Sequence, residues 1–156
     1  MARSAGFTYM ALLFAIAIMG VALAATGTVW YQASQREKEQ ELLFIGNQFR
    51  QAVGLYYVRT PGGAKRYPQR LEDLLVDLRG QGVQRYLRKI YRDPITKEAK
   101  WGIVQAPEGG IMGVYSLSQE TPLKTSSFRQ VDKAFDGKSK YAEWQFIYRP
   151  STPAGG

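Results

Sequence analysis

The chain contains no cysteine and no histidine. The first absence excludes disulfide stapling, thiol catalysis and thiolate metal sites. The second removes the commonest neutral-pH acid or base and the commonest metal ligand. Charge and proline are missing locally: no side chain from Phe7 to Tyr31 is charged, and no proline occurs before Pro61. About 20 apolar residues in helical form span a bilayer, and the 25 residues FTYMALLFAIAIMGVALAATGTVWY exceed that number. The segment reads as a membrane helix. An apolar stripe continues beyond it through Leu42, Ile45, Phe49, Val53 and Tyr56 at spacings of three and four, the period of one helix face. With no breaker between, a single helix is expected from Phe7 to Val58, about 78 Å long at about 1.5 Å per residue.

Gln32, Gln35, Glu39, Gln40, Asn47 and Gln51 supply polar positions around that stripe, and Gly46 and Gly54 mark points where the helix can flex. Thr60-Pro61-Gly62-Gly63 ends the helix by turn chemistry. Leu71, Leu74, Leu75 and Leu78 then predict a short amphipathic helix after Pro68, with Glu72, Asp73 and Asp77 on its solvated side and Gly80 and Gly82 as its stop. Three strands are expected at 101–105, 111–117 and 141–148. The first two are joined by Pro107-Glu108-Gly109-Gly110, and Trp144, Phe146 and Tyr148 share one face of the third. The fold class is therefore α+β, a long N-terminal membrane-spanning helix packed on a small antiparallel sheet. The tail 151–156, with a proline and two terminal glycines, is expected to be disordered.

A short leader ending in Gly6, followed by Phe7-Thr8 at the start of the apolar helix, resembles the class III signal of type IV pilins and of type II secretion pseudopilins. Gly20 and the order Tyr67-Pro68, Leu71, Leu74, Asp93-Pro94 and Trp101 extend the likeness to the major, G-type pseudopilins. The resemblance implies a pilin-like fold and cleavage after Gly6 by a prepilin peptidase, with N-methylation of Phe7. It divides the chain into a leader (1–6), a transmembrane helix (7–31), its soluble continuation (32–58) and a periplasmic head (59–150). It further implies assembly with other pilin or pseudopilin subunits, driven by an inner-membrane platform and an ATPase, in service of protein secretion.

Two departures from the family pattern stand out. Ala11 occupies the place of the usual glutamate at the fifth residue of the mature chain. That carboxylate neutralises a neighbour's terminal ammonium in an apolar filament core, where an unpaired charge costs several kcal/mol. Its loss points to a tip or minor subunit. Members of the G-type also hold calcium in an aspartate-rich loop. The stretch SLSQETPLKTSSFRQVDKAFDGKSK has only two aspartates, Asp132 and Asp136, four apart with lysines beside them, whereas calcium takes six to eight oxygens with several carboxylates. No metal and no cofactor is expected.

Arg3 precedes the apolar run and Arg36-Glu37-Lys38-Glu39-Gln40-Glu41, net negative by one, follows it. The positive-inside rule then places the N-terminus in the cytoplasm and the head in the periplasm of a two-membrane bacterium. A secretory signal peptide competes for the same segment, because Ala22-Leu23-Ala24 is an acceptable cleavage site. The apolar run, however, continues to Tyr31, and an ordinary signal has no need of a Gly-Phe pair. A plain single-pass anchor is the other alternative.

Residues 50–100 hold twelve Lys or Arg against five Asp or Glu, whereas 101–156 hold six against five. The surplus includes Arg79 and a candidate interaction patch of Arg85, Arg88, Lys89 and Arg92, interleaved with Tyr86 and Tyr91. Such a surface pairs with acidic neighbours or cargo, or, in the alternative reading of a DNA- or surface-binding minor pilin, neutralises phosphates. Nothing in the sequence favours an enzyme. Glu72, Asp73 and Asp77 read as a solvated face, Asp93-Pro94 as a turn, and Ser116, Ser118 and Lys124 as loop residues without the spacing of a Ser-Lys pair.

Overall fold

A computed structural model describes residues 5–150, and the chain separates into two compact units, Met1–Glu37 and Lys38–Gly156. The disordered tail expected at 151–156, and all but the last two leader residues, lie outside the described residues. One helix, α1 (Ala5–Val58, 54 residues), contributes to both units. In the first unit its segment Gly6–Leu23 has mean hydropathy 2.1 and none of it is buried. Among the described residues there is thus one helix, at the N-terminal end, long and apolar enough to cross a membrane.

The second unit is built around the other end of α1. Leu42, Ile45, Phe49, Val53 and Tyr56 are all buried, as their spacing requires. They pack with Leu74, Leu87, Trp101, Val114, Phe128, Phe135, Trp144 and Phe146 in one apolar cluster. Gly46 and Gly54 are explained by contact rather than by flexing. A side chain at Gly46 would fall on the buried ring of Phe146, and a β-carbon at Gly54 would lie 2.7 Å from the ring of Tyr148. The missing side chains let the sheet approach the helix.

The sheet is antiparallel in the order β1 (Gly102–Gln105), β2 (Ile111–Tyr115), β3 (Phe146–Ile147). Its first turn is the expected one: Gly109 and Gly110 have φ of 91° and 86°, and the Ala106 amide donates to the Gly110 carbonyl at 2.9 Å. The third strand is much shorter than the sequence suggested. Tyr141–Glu143 forms a 3-10 turn instead, because the Glu143 carboxylate accepts from the Ser139 and Lys140 amides (3.0 and 3.1 Å) and so caps the turn. Trp144 and Phe146 are nevertheless buried and Tyr148 half-buried, on the shared face expected of them.

The amphipathic helix expected from Leu71 to Leu78 is also cut short. Only Leu71–Leu74 is helical, a single 3-10 turn capped by Asp73, whose carboxylate accepts from the Gln69 and Arg70 amides. The chain then turns back on itself as Asp77 and Gln84 exchange both backbone hydrogen bonds (2.8 and 3.0 Å). In consequence Asp77 is buried and Leu78 is 71% exposed, the reverse of the helical expectation. A further 3-10 helix, Gln130–Phe135, interrupts the long connection between β2 and β3.

Candidate functional site

In the first unit, Gly6 and Phe7 lie in the opening turns of α1. A β-carbon added at Gly6 would meet nothing within 4 Å, and Phe7 is 81% exposed. Ala11 and Gly20 are likewise on the uncovered surface of the helix.

The basic patch lies in the head, on the segment that follows the Asp77–Gln84 pairing. Its backbone is fixed from the inside. The Tyr86 and Leu87 amides donate to the Leu74 carbonyl (2.9 and 3.0 Å), Leu87 is buried, and Trp101 Nε1 donates to the Tyr91 carbonyl at 2.8 Å. Asp93, fully buried, closes the segment: its carboxylate accepts from the Ile95 amide and from Ser116 Oγ. Asp93-Pro94 is thus a turn held by a buried carboxylate. With residues 86, 87, 91 and 93 turned inward, Arg85, Arg88, Lys89 and Arg92 are exposed, and Lys89 Nζ sits 5.6 Å from the Tyr91 ring centroid.

Arg79 does not belong to this patch. Its Nε and Nη2 donate to the two Asp77 oxygens at 2.8 Å, Nη1 donates to Thr60 Oγ1 at 2.9 Å, and Nη2 also donates to the Tyr56 carbonyl at 3.0 Å. The guanidinium carbon lies 3.4 Å from the Tyr56 ring centroid. A cation thereby occupies the C-terminal end of α1, where carbonyls lack intrahelical donors and the helix dipole favours positive charge. Lys65 Nζ adds a second such contact, donating to the Val58 carbonyl at 2.7 Å. The Arg79 hydrogen bond is the largest influence on Asp77 and, against the opposing effect of burial, lowers its carboxyl to about 2. Tyr86 donates to the same carboxylate at 3.0 Å, and its own hydroxyl is raised first by burial and then by that bond.

Two further buried carboxylates, neither of them evident from the sequence, tie the β2–β3 connection to α1. Glu39 Oε1 accepts from the Leu123 and Lys124 amides (2.5 and 3.3 Å) and from the Tyr141 hydroxyl (2.8 Å). Asp132 is held at one oxygen by Arg50 Nη2 (2.8 Å) and at the other by Arg129 Nη2 (3.0 Å). Asp136 pairs with Lys133. The two aspartates weighed as calcium ligands are each engaged by cationic side chains, and among the described residues no three acidic groups gather as a metal site needs. Ser116 and Ser118 also face structural partners. Ser116 Oγ donates to Asp93 and accepts from the Ser118 amide, Ser118 Oγ accepts from the Glu120 amide, and Lys124 Nζ lies over the Phe128 ring.

Comparison with protein-family models, with curated protein sequences and with solved structures finds no match to this chain.

Proposed function

We propose that the chain is a structural subunit of a pilin-like filament of the type II secretion pseudopilus kind, inserted in the inner membrane and acting by assembly rather than catalysis. One observation carries this reading: a single helix combines a charge-free, wholly uncovered segment with the apolar face on which the head is built. Before assembly the uncovered segment is covered by lipid, and in a filament by the same segment of other copies. A prepilin peptidase cuts between Gly6 and Phe7 and methylates Phe7, the head stands in the periplasm, and a platform protein and ATPase draw the subunit from the bilayer. Ala11 fits a tip or minor position.

Intact-mass analysis of the protein from its native membrane tests this reading. The expected mature chain begins with N-methylated Phe7, and Gly6→Val abolishes the cleavage. A mature start at Ala25 establishes a secreted protein with an ordinary signal peptide and overturns the proposal, as does an unprocessed chain.

A further inference from the structure

Two exposed surfaces of the head remain without a role, and they complement each other. The first is the hairpin closed by Asp77 and Gln84. Those two residues form a hydrogen-bonded pair with Asp77 facing the core, so their neighbours Val76, Leu78, Val83 and Arg85 project to the opposite side. Val76, Leu78 and Val83 are 45%, 71% and 58% exposed. Arg85, Arg88 and Lys89 continue this surface, and from Arg85 to Arg92 the sequence has no acidic residue. Arg79 fastens the hairpin to the end of α1, so its apolar side chains are held outward on a rigid support rather than folded into the core.

The second surface is a stripe on α1 itself. Glu41, Phe44, Gln48, Gln51, Leu55 and Val58 follow one another at spacings of three and four, and so share a face distinct from the buried stripe of Leu42 to Tyr56. Phe44, Leu55 and Val58 are 60%, 43% and 55% exposed, and the one charged member is Glu41. One surface is therefore apolar with a basic border, and the other sets Phe44, Leu55 and Val58 among the uncharged Gln48 and Gln51, with an acidic end. Within one head the hairpin cannot reach the Glu41–Phe44 end of that stripe. The hairpin is fixed at Tyr56 and Thr60, and from Tyr56 to Glu41 the helix axis advances about 22 Å at about 1.5 Å per residue.

We propose that the hairpin of one copy docks on the Glu41–Val58 stripe of a second copy, with Leu78 and Val83 against Phe44 and with Arg85 and Arg88 toward Glu41. The assignment rests on the filament reading and names the contact between heads. Because the two patches differ, the contact is head-to-tail and a joined pair keeps one free surface of each kind, so further copies can add to either end.

The cysteine-free sequence provides a clean background for cross-linking. Phe44→Cys and Leu78→Cys are introduced singly and together in the full chain, in native membranes, followed by mild oxidation. The double variant is expected to give a ladder of dimers, trimers and higher species, whereas neither single variant nor the pair Phe44→Cys with Val131→Cys gives one. Glu41→Arg in the double-cysteine background is expected to lower the ladder yield about tenfold or more, and addition of Arg85→Glu and Arg88→Glu to restore it. Filaments seen by electron microscopy without the ladder overturn this contact and leave the filament reading standing. Absence of both overturns the two together. Dimers from Leu78→Cys alone indicate a symmetric contact and overturn the head-to-tail assignment.

Discussion

Asp77→Asn is the most informative single change in the head. The substitution keeps the shape of the side chain and removes the charge that holds Arg79. Asp77 is buried and lowered to about 2, against an ordinary value of 3.8. A carboxyl lowered on folding stabilises the native state above its unfolded value, and the stabilisation is lost as pH falls toward the folded value. The difference corresponds to about 2 kcal/mol at neutral pH, at about 1.4 kcal/mol per unit. The variant also leaves a guanidinium at the helix end without its carboxylate, while the Thr60 and Tyr56 acceptors remain. Urea unfolding of the detergent-solubilised chain, followed through the buried Trp101 and Trp144, should show the variant less stable by about 2 kcal/mol at pH 7. The deficit should shrink between pH 4 and pH 2 as the parent loses the same contribution. A deficit below about 0.5 kcal/mol at pH 7, the ordinary range of surface substitutions, refutes the clamp. A deficit that stays constant down to pH 2 assigns the effect to packing rather than to charge.

Gly46→Ala separates packing from helix propensity: propensity alone favours alanine by up to about 1 kcal/mol, but the contact with Phe146 should make the variant less stable in the same unfolding assay. Gly20→Ala, where a β-carbon meets nothing within 4 Å, serves as the control and should leave the head unchanged. Glu39→Gln keeps an acceptor but weakens three charge-assisted hydrogen bonds. Limited trypsin digestion of the folded chain should then cut faster at Lys124, and an unchanged rate refutes the tether.

The parts of the fold legible in the sequence are those set by periodicity and turn chemistry. The stripe from Leu42 to Tyr56 fixed the core face of α1 because every member obeys the helical period, and Gly109-Gly110 fixed the hairpin because both residues need positive φ. The segment from Leu71 to Leu78 misled for a definite reason. Its leucines fit a helix, but the backbone pairing of Asp77 with Gln84 is a contact seven residues away that periodicity does not register. The same pairing moved Asp77 from an expected solvated face to the interior and withdrew Arg79 from the basic patch. Arg85, Arg88, Lys89 and Arg92 are legible as surface, since the alternation of Tyr86, Leu87 and Tyr91 with cations shows which side faces the core. Glu39 and Arg50 carried no local signal, because their partners lie more than eighty residues further on.

The head has little regular structure beyond α1: strands of four, five and two residues and a few 3-10 turns. Short strands supply few ladder hydrogen bonds, so the long connections need another source of definition. Three clamps, each built on a charged side chain, provide it with one end on α1: Glu39 accepts from the amides of 123–124 and the Tyr141 hydroxyl, Arg50 pairs with Asp132, and the Tyr56 carbonyl, with Thr60 just beyond the helix, holds the Arg79–Asp77 pair. A buried ion pair adds little net stability over a well-packed apolar replacement, yet removing one partner is costly because it strands the other charge. Such clamps therefore discriminate between arrangements more than they strengthen any one of them. In this head, the apolar stripe decides that the sheet packs on α1, and the clamps decide where each irregular segment meets the helix. The orientation of the exposed hairpin and its basic border is set by the last of the three, which links the interior charge of Asp77 to the surface on which assembly is proposed to depend.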